Sequence, residues 1–316
     1  MSEPGSRPFC ARRGISLIEV LVMLSIIALV AALLLPALAS SRESARRLQC
    51  ENNLRQIGLA MNAYQDAHNV FPSGYISATQ TADPASPEIG PGWGFGSLIL
   101  SELEQKALFN ATNFDLPITH AAAVTVRTTH VNTYLCPSSI NAGKDGPVVL
   151  SDAAGIRLIS DLSPGNYVGS AGQTTPGETP GENNGVFYRN SHVEPRQITD
   201  GLSQTFLVGE RSRNLADASW VGVIPTAQVC TNPAWPVRAC DAACVLTLGH
   251  TGPATEVYPP NSASAGPDDF WSLHRGVCNF LFCDGSVRGI QDSINPQVYS
   301  ALSTRAGGET LDSKDF

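Results

Sequence analysis

From Val20 to Leu38 the chain carries twelve Leu, Ile and Val residues and no charge, and a single carboxylate, Glu19, stands at the head of the run. As a helix, a continuous apolar stretch of this length matches the hydrocarbon thickness of a bilayer. On an insertion scale the twelve side chains contribute about −4 to −7 kcal/mol, against a cost of roughly 2.5–3.5 kcal/mol for a carboxylate near mid-membrane. The segment therefore inserts in spite of Glu19, with a span at about residues 18–38. An acid held in lipid needs a cationic partner, and the span itself offers none.

Upstream stand Arg12, Arg13 and Gly14, followed by Ile15-Ser16-Leu17-Ile18-Glu19. Basic residues, a glycine, a glutamate shortly after it and a long apolar helix together resemble the class III signal of type IV prepilins and type II secretion pseudopilins. The resemblance implies a leader of residues 1–14, cleavage by a prepilin peptidase between Gly14 and Ile15, and methylation of the new Ile15 amine. Glu19 becomes the fifth mature residue, and the amine of one subunit meets its carboxylate on a neighbour, so its burial is offset only on assembly. Ile15 stands where phenylalanine is commoner. Pro36 is expected to kink the helix, at a mature position where type IV pilins also tend to carry a helix-breaking proline.

Two other readings of the same residues stay open. Arg12-Arg13, the apolar core and Ala37-Leu38-Ala39-Ser40 also fit a secretory signal with a small-residue cleavage site, although such signals need only ~7–15 apolar residues and seldom hold a glutamate. A plain anchor with an incidental Glu19 is the other. Arg7, Arg12 and Arg13 on one side and Arg42, Arg46 and Arg47 on the other leave orientation undecided by charge.

Beyond the span, Leu48, Leu54, Ile57, Met61 and Tyr64 keep helical spacing, so a helix is expected from Ile15 to about His68. After Asn69 the composition changes. Gly/Pro clusters at residues 72–74, 90–94, 163–165 and 175–181 mark loops, and short apolar runs between them read as strands: 185–188, 205–209, 220–224 and 278–283. One short helix is expected over Phe95–Phe109 and another near Asn295–Ser303, with Pro296 in its first turn. Residues 69–316 thus form one large β-rich extracytoplasmic domain or two small ones.

Charge disfavours nucleic acid as a partner: the net charge is −8 and becomes −10 without residues 1–14, which hold three arginines and one glutamate. Eight cysteines in an exported chain favour disulfides over metal ligands. Cys10 leaves with the leader, so at least one of the rest is unpaired or pairs between chains. Cys50 on the helix and Cys136 in Tyr134-Leu135-Cys136-Pro137 are the candidates for a staple joining helix to domain. Cys230, Cys240 and Cys244 with His250 form an alternative zinc grouping, but their spacing matches none of the strong patterns. No metal or other cofactor is expected.

At the carboxyl end, His274 and Asp284-Gly285 fit the H-x9-D-G motif of a family of pseudopilin-like proteins of unassigned biochemical role. Asn52–Gly58, Gly92-Trp93-Gly94, Leu135–Ser138, Asn166–Ser170, Ile198–Gly201 and Ala301–Glu309 are similar to that family as well. Asp284-Gly285 between two strand-like runs suits a type I′ hairpin turn, and Asp200-Gly201 has the same chemistry. The aspartate and histidine are then held by structural hydrogen bonds, with a ligand or metal contact as the other reading. Alternation places Cys278, Phe280 and Phe282 on one face and Asn279, Leu281 and Cys283 on the other. Asp268-Asp269 is a weak calcium candidate. Glu210 reads as an ion-paired strand end, and Trp93 as core rather than a stacking platform for a ligand. No nucleophile elbow, phosphate loop or HExxH sequence is present, so no enzyme is expected.

The expected fold is α+β and pilin-like: a long helix, transmembrane in its first half, packed on a large β-rich domain. The resemblance implies a structural subunit of a type II secretion or type IV pilus-like filament, homo- or heteromeric, with a prepilin peptidase, an inner-membrane assembly platform and sister subunits as partners. It would be single-pass in the inner membrane, its domain in the periplasm or at the cell surface. The competing class is a membrane-tethered ligand-binding module that never polymerises.

Overall fold

A computed structural model describes residues 17–83, 85–140, 146–253, 255–309, 311 and 316. The first element, α1 (Leu17–His68), is 52 residues long. The helix runs on through Pro36, although the proline has no N–H to donate, so the proline does not end it. Asn69, at φ 63°, ends it in the left-handed conformation that commonly closes helices.

The chain divides into two compact units, residues 1–45 and 46–316, and the boundary falls inside α1. In the first unit the helix from Val20 to Leu38 carries no charge, with Leu21 57% and Leu33 69% exposed. It is long and apolar enough to cross a membrane. In the second unit the helix turns amphipathic. Cys50, Leu54, Ile57 and Met61 are buried at helical spacing, while Arg47 and Arg55 pair with Glu51 at 3.1 and 3.8 Å on a more exposed side. Each buried leucine, isoleucine or methionine contributes about 1.5–3 kcal/mol.

The strands of the second unit are β1 (Tyr75–Ser77), β2 (Pro91–Gly94), β3 (Val148–Ser151), β4 (Arg157–Leu162), β5 (Tyr167–Ser170), β6 (Phe206–Glu210), β7 (Gln228–Cys230), β8 (Cys240–Ala242), β9 (Leu248–Gly249), β10 (Val277–Phe282) and β11 (Val287–Gln291). Short helices α2 (Phe95–Leu98), α3 (Lys106–Ala111), α4 (Val124–Thr128), α5 (Pro137–Ile140) and α6 (Pro296–Ala301) lie between or after them. The fold is α+β. Among the described residues three sheets are ordered β1-β2, β11-β10-β6-β5-β9 and β4-β3-β7-β8, and their strand pairings are antiparallel except β5 with β9.

The five-stranded sheet organises the core. Every residue of β10 is buried because both faces are covered. Cys278, Phe280 and Phe282 join Val168, Phe206, Tyr299 and Leu302 in one cluster, whereas Leu281 and Cys283 join the α1 residues Leu54, Ile57 and Met61 in the other. This is the expected alternation. The helix approaches β10 closely enough that a Cβ on Gly58 would lie 2.7 Å from Leu281 Cδ1, so a larger residue there would have to displace the Leu281 side chain.

Three expected elements differ. Phe95–Phe109 is not one helix: Ile99 and Leu108 are both buried, and nine residues apart they would face opposite sides of a single straight helix. The chain instead turns at Glu104, φ 62°. Residues 185–188 form no strand, because β5 already carries β6 and β9 on its two edges. Residues 220–224 make only one bridge, Trp93 to Gly222, with Gly222 at φ 149° turning the backbone away. By contrast α6 starts as expected, Asn295 Oδ1 accepting from the Gln297 and Val298 amides with Pro296 in the first turn.

Candidate functional site

Gly14 and Ile15 lie outside the described residues. Glu19 sits in the first turn of α1 and is the sole ionisable residue between Leu17 and Ser41.

The H-x9-D-G residues stand at opposite ends of β10. Asp284 is exposed, its Oδ1 accepting from the Ser286 amide at 2.8 Å. The Gly285 amide donates to the Phe282 carbonyl at 2.9 Å. Of the two, only Gly285 has positive φ, +85°, so this is a type I turn followed by a left-handed glycine and not the expected type I′ turn, which needs two positive φ values. A Cβ on Gly285 would lie 2.9 Å from Asn62 Nδ2 of α1. Asp284-Gly285 therefore shapes the hairpin against the helix and makes no pair with His274. Asp200-Gly201 closes in the same way, the Gly201 amide reaching the Ile198 carbonyl at 3.3 Å, and the Asp200 carboxylate then collects the Gly307 and Gly308 amides at 2.6 and 2.8 Å.

His274 enters a buried polar group. Glu210, at the end of β6 and 2% exposed, accepts from the Asn279 amide at 2.8 Å and from Asn279 Nδ2 at 3.3 Å. Its Oε1 lies 3.4 Å from His274 Nε2, which is 3.7 Å from Cys136 Sγ. Cys136 is disulfide-bonded to Cys50 with Cα atoms 5.1 Å apart. Asn166 holds the Cys136 loop, accepting from the Cys136 amide at 2.9 Å and donating to Ser139 Oγ at 3.0 Å. Ligand atoms of Cys50, Cys136, Glu210 and His274 all lie within 4.8 Å of one another.

Beside it lies a second cluster. Arg211, next after Glu210, is fully buried and donates to the carbonyls of Val245, Leu248 and Asp269. Burial pulls its guanidinium down to about 10, against the raising effect of Asp268 and Asp269. His250 Nε2 meets Asp268 at 2.7 Å and Asp269 at 4.0 Å. Burial acts to lower the His250 pKa, but the Asp268 hydrogen bond and the charges of Asp268 and Asp269 raise it to about 9. Burial, then the charge of Asp268, pushes Asp269 up to about 7; the same two causes take Asp241 to about 6. For Asp268 burial acts upward, yet His250 and Arg211 hold it below the usual carboxylate range. His250, Asp268 and Asp269 line a cleft of about 420 Å³ with Glu178, Glu256 and Tyr258.

These contacts dispose of two alternatives. Cys230 and Cys240 form a disulfide, Cys244 is a buried free thiol and His250 is held by Asp268, so the grouping considered for zinc is not assembled. Asp268 and Asp269 face His250 and Arg211 as an ionic cluster rather than a calcium contact. Trp93 is buried and its Nε1 donates to the Leu116 carbonyl at 2.9 Å, which makes it core.

Sequence reasoning missed Glu210 as a partner of His274 and did not single out Asn166, Arg211 or Asn279. The available signal was a Glu-Arg pair closing an apolar strand and an asparagine inside an apolar one, both unusual in a buried sheet. No curated protein and no solved structure matches the chain. The family described as "Protein of unknown function (DUF1559)" matches residues 39–297, a range that includes Cys50, Cys136, Glu210, His274 and Asp284-Gly285. The chain belongs to this DUF1559 family.

Proposed function

We propose that the protein is a pseudopilin-like structural subunit, processed between Gly14 and Ile15 by a prepilin peptidase. It would then be assembled through α1 into a type II secretion or type IV pilus-like filament. The observation that carries this reading is the lone acid: Glu19 heads a helix that is otherwise uncharged to Ser41. A carboxylate in lipid is costly, and on assembly the new Ile15 amine of a neighbouring subunit is suited to pair with it. The assembly platform and sister subunits would be its partners, and its domain would lie in the periplasm or at the cell surface.

Glu19→Val tests the reading, because it leaves insertion intact and removes the counter-ion pair. The variant should fractionate with membranes at the native level and be absent from sheared filaments. Mass spectrometry of the mature protein should find a methylated Ile15. Equal incorporation of the variant into filaments, or an amino terminus at Ser40, overturns it.

The cleft beside His250 supports a second reading, a tethered domain that captures a small polar ligand. Under it Glu19→Val changes nothing, and the chain never appears in filaments.

A further inference from the structure

We infer that the dithiol form of this protein binds a zinc ion through Cys50, Cys136, His274 and Glu210, the ion and the Cys50–Cys136 disulfide being alternative occupants of one buried site. Two thiolates, an imidazole and a carboxylate are donors that zinc takes in closed four-coordinate sites. A tetrahedral ion with bonds of about 2.0–2.3 Å sets its ligand atoms about 3.3–3.8 Å apart. His274 Nε2 to Glu210 Oε1, at 3.4 Å, and Cys136 Sγ to His274 Nε2, at 3.7 Å, already have that spacing. The two sulfurs are closer, because they are bonded to each other, and the remaining pairs lie within 4.8 Å. Cleaving that bond and turning two cysteine side chains is the adjustment required.

The surroundings suit the role. The ligands come from α1, the loop of Cys136, the end of β6 and the loop before β10, and all four are buried. Asn279 fixes the Glu210 carboxylate with two donors, and Asn166 fixes the Cys136 backbone, the kind of outer support that orients metal ligands. A buried site of this type is filled as the fold closes. Until it is oxidised the chain carries thiols, so the ion would hold α1 on the sheet before the disulfide forms. A protein disulfide of the oxidising compartment then takes two electrons from the Cys50 and Cys136 thiolates. Its own two sulfurs leave as thiols with two protons from solvent, the Cys50–Cys136 bond forms, and Zn²⁺ is released. Metal binding of this kind does not depend on filament assembly.

Full-length chain in detergent, carrying Cys230→Ser and Cys240→Ser so that the other disulfide adds no thiols, is reduced with a phosphine and titrated with Co²⁺ alone. The expected result is one bound cobalt per chain, with a thiolate-to-cobalt charge-transfer band and the intense visible absorption of tetrahedral cobalt. Both signals disappear on adding Zn²⁺ and are absent from the oxidised chain. Adding Cys50→Ser and Cys136→Ser abolishes both. His274→Gln keeps the charge-transfer band, shifts the visible bands and weakens binding at least about tenfold. A weak octahedral spectrum in the reduced chain overturns the proposal, as does a charge-transfer band that survives loss of Cys50 and Cys136. If reduction unfolds the chain by circular dichroism, Zn²⁺ must restore the fold; failure to restore it also overturns the proposal.

Discussion

Glu210 and Arg211 are consecutive, yet they serve two clusters of opposite character. Glu210 turns toward sulfur and imidazole in a buried site, where Asn279 gives its carboxylate two donors. Arg211 turns toward Asp268, Asp269 and His250, a group of charges that opens on a cleft. Because side chains leaving a strand alternate between faces, one backbone position separates a closed, covalently joined site from an open, titrating one. The first keeps its groups in place by a covalent bond and buried hydrogen bonds, whereas the second is built to change its charge.

The largest expected effect falls on the closed cluster. Chain-entropy reasoning gives about 4.5 kcal/mol for a disulfide closing a loop as long as that of Cys50–Cys136 and about 2.5 kcal/mol for one as short as that of Cys230–Cys240; the sequence separations are 86 and 10. Urea unfolding of Cys50→Ser/Cys136→Ser should therefore show the greater loss, and equal losses would mean that the first bridge does not restrain the unfolded chain. Next comes Arg211→Met, which leaves three buried carbonyls without a donor and takes away one of the two cations acting on Asp268 and Asp269. A loss of about 3–5 kcal/mol is expected in the same assay; a loss below about 1 kcal/mol would remove Arg211 as the centre of the open cluster.

The smallest effect is the dependence on pH. Folding raises His250 from 6.5 to about 9, so its contribution is complete below about pH 6.5 and gone above about pH 9, on the order of 3 kcal/mol. Folding also raises Asp269 to about 7, and what it contributes is complete near pH 4 and lost by pH 7. Asp268, held low, works the other way and matters only as the pH falls through the acidic range. Stability should thus decline from pH 5 to 9. Asp269→Asn should flatten the lower part of that decline and spare the upper part, and a profile unchanged by the substitution would refute the assignment.

Much of the architecture was legible because it rests on period and local chemistry. The apolar run, the amphipathic continuation through Leu54, Ile57 and Met61, the alternation along β10 and the Asn295-Pro296 start of α6 all follow from neighbours in sequence. What escaped depends on distant segments. Glu210 and His274 are 64 positions apart, and nothing local to either reveals the other. Residues 220–224 have strand composition, but Gly222 packs against β2 and bends away after one bridge. The hairpin turn was located correctly by Asp284-Gly285; its type was not, because that depends on how far the loop must reach to meet Asn62 of α1. His250 was placed with cysteines on the basis of nearness in sequence, whereas the fold delivers it to two aspartates.

The position of Cys50 along α1 has a mechanical consequence. A pull transmitted down the helix from its amino-terminal end arrives at Cys50 before it reaches Leu54, Ile57 or Met61, the side chains that hold the helix on the sheet. The force passes through sulfur into the loop of Cys136. Apolar contacts that would peel apart one after another are thereby shielded, and the helix can be tugged without being stripped from the domain it carries.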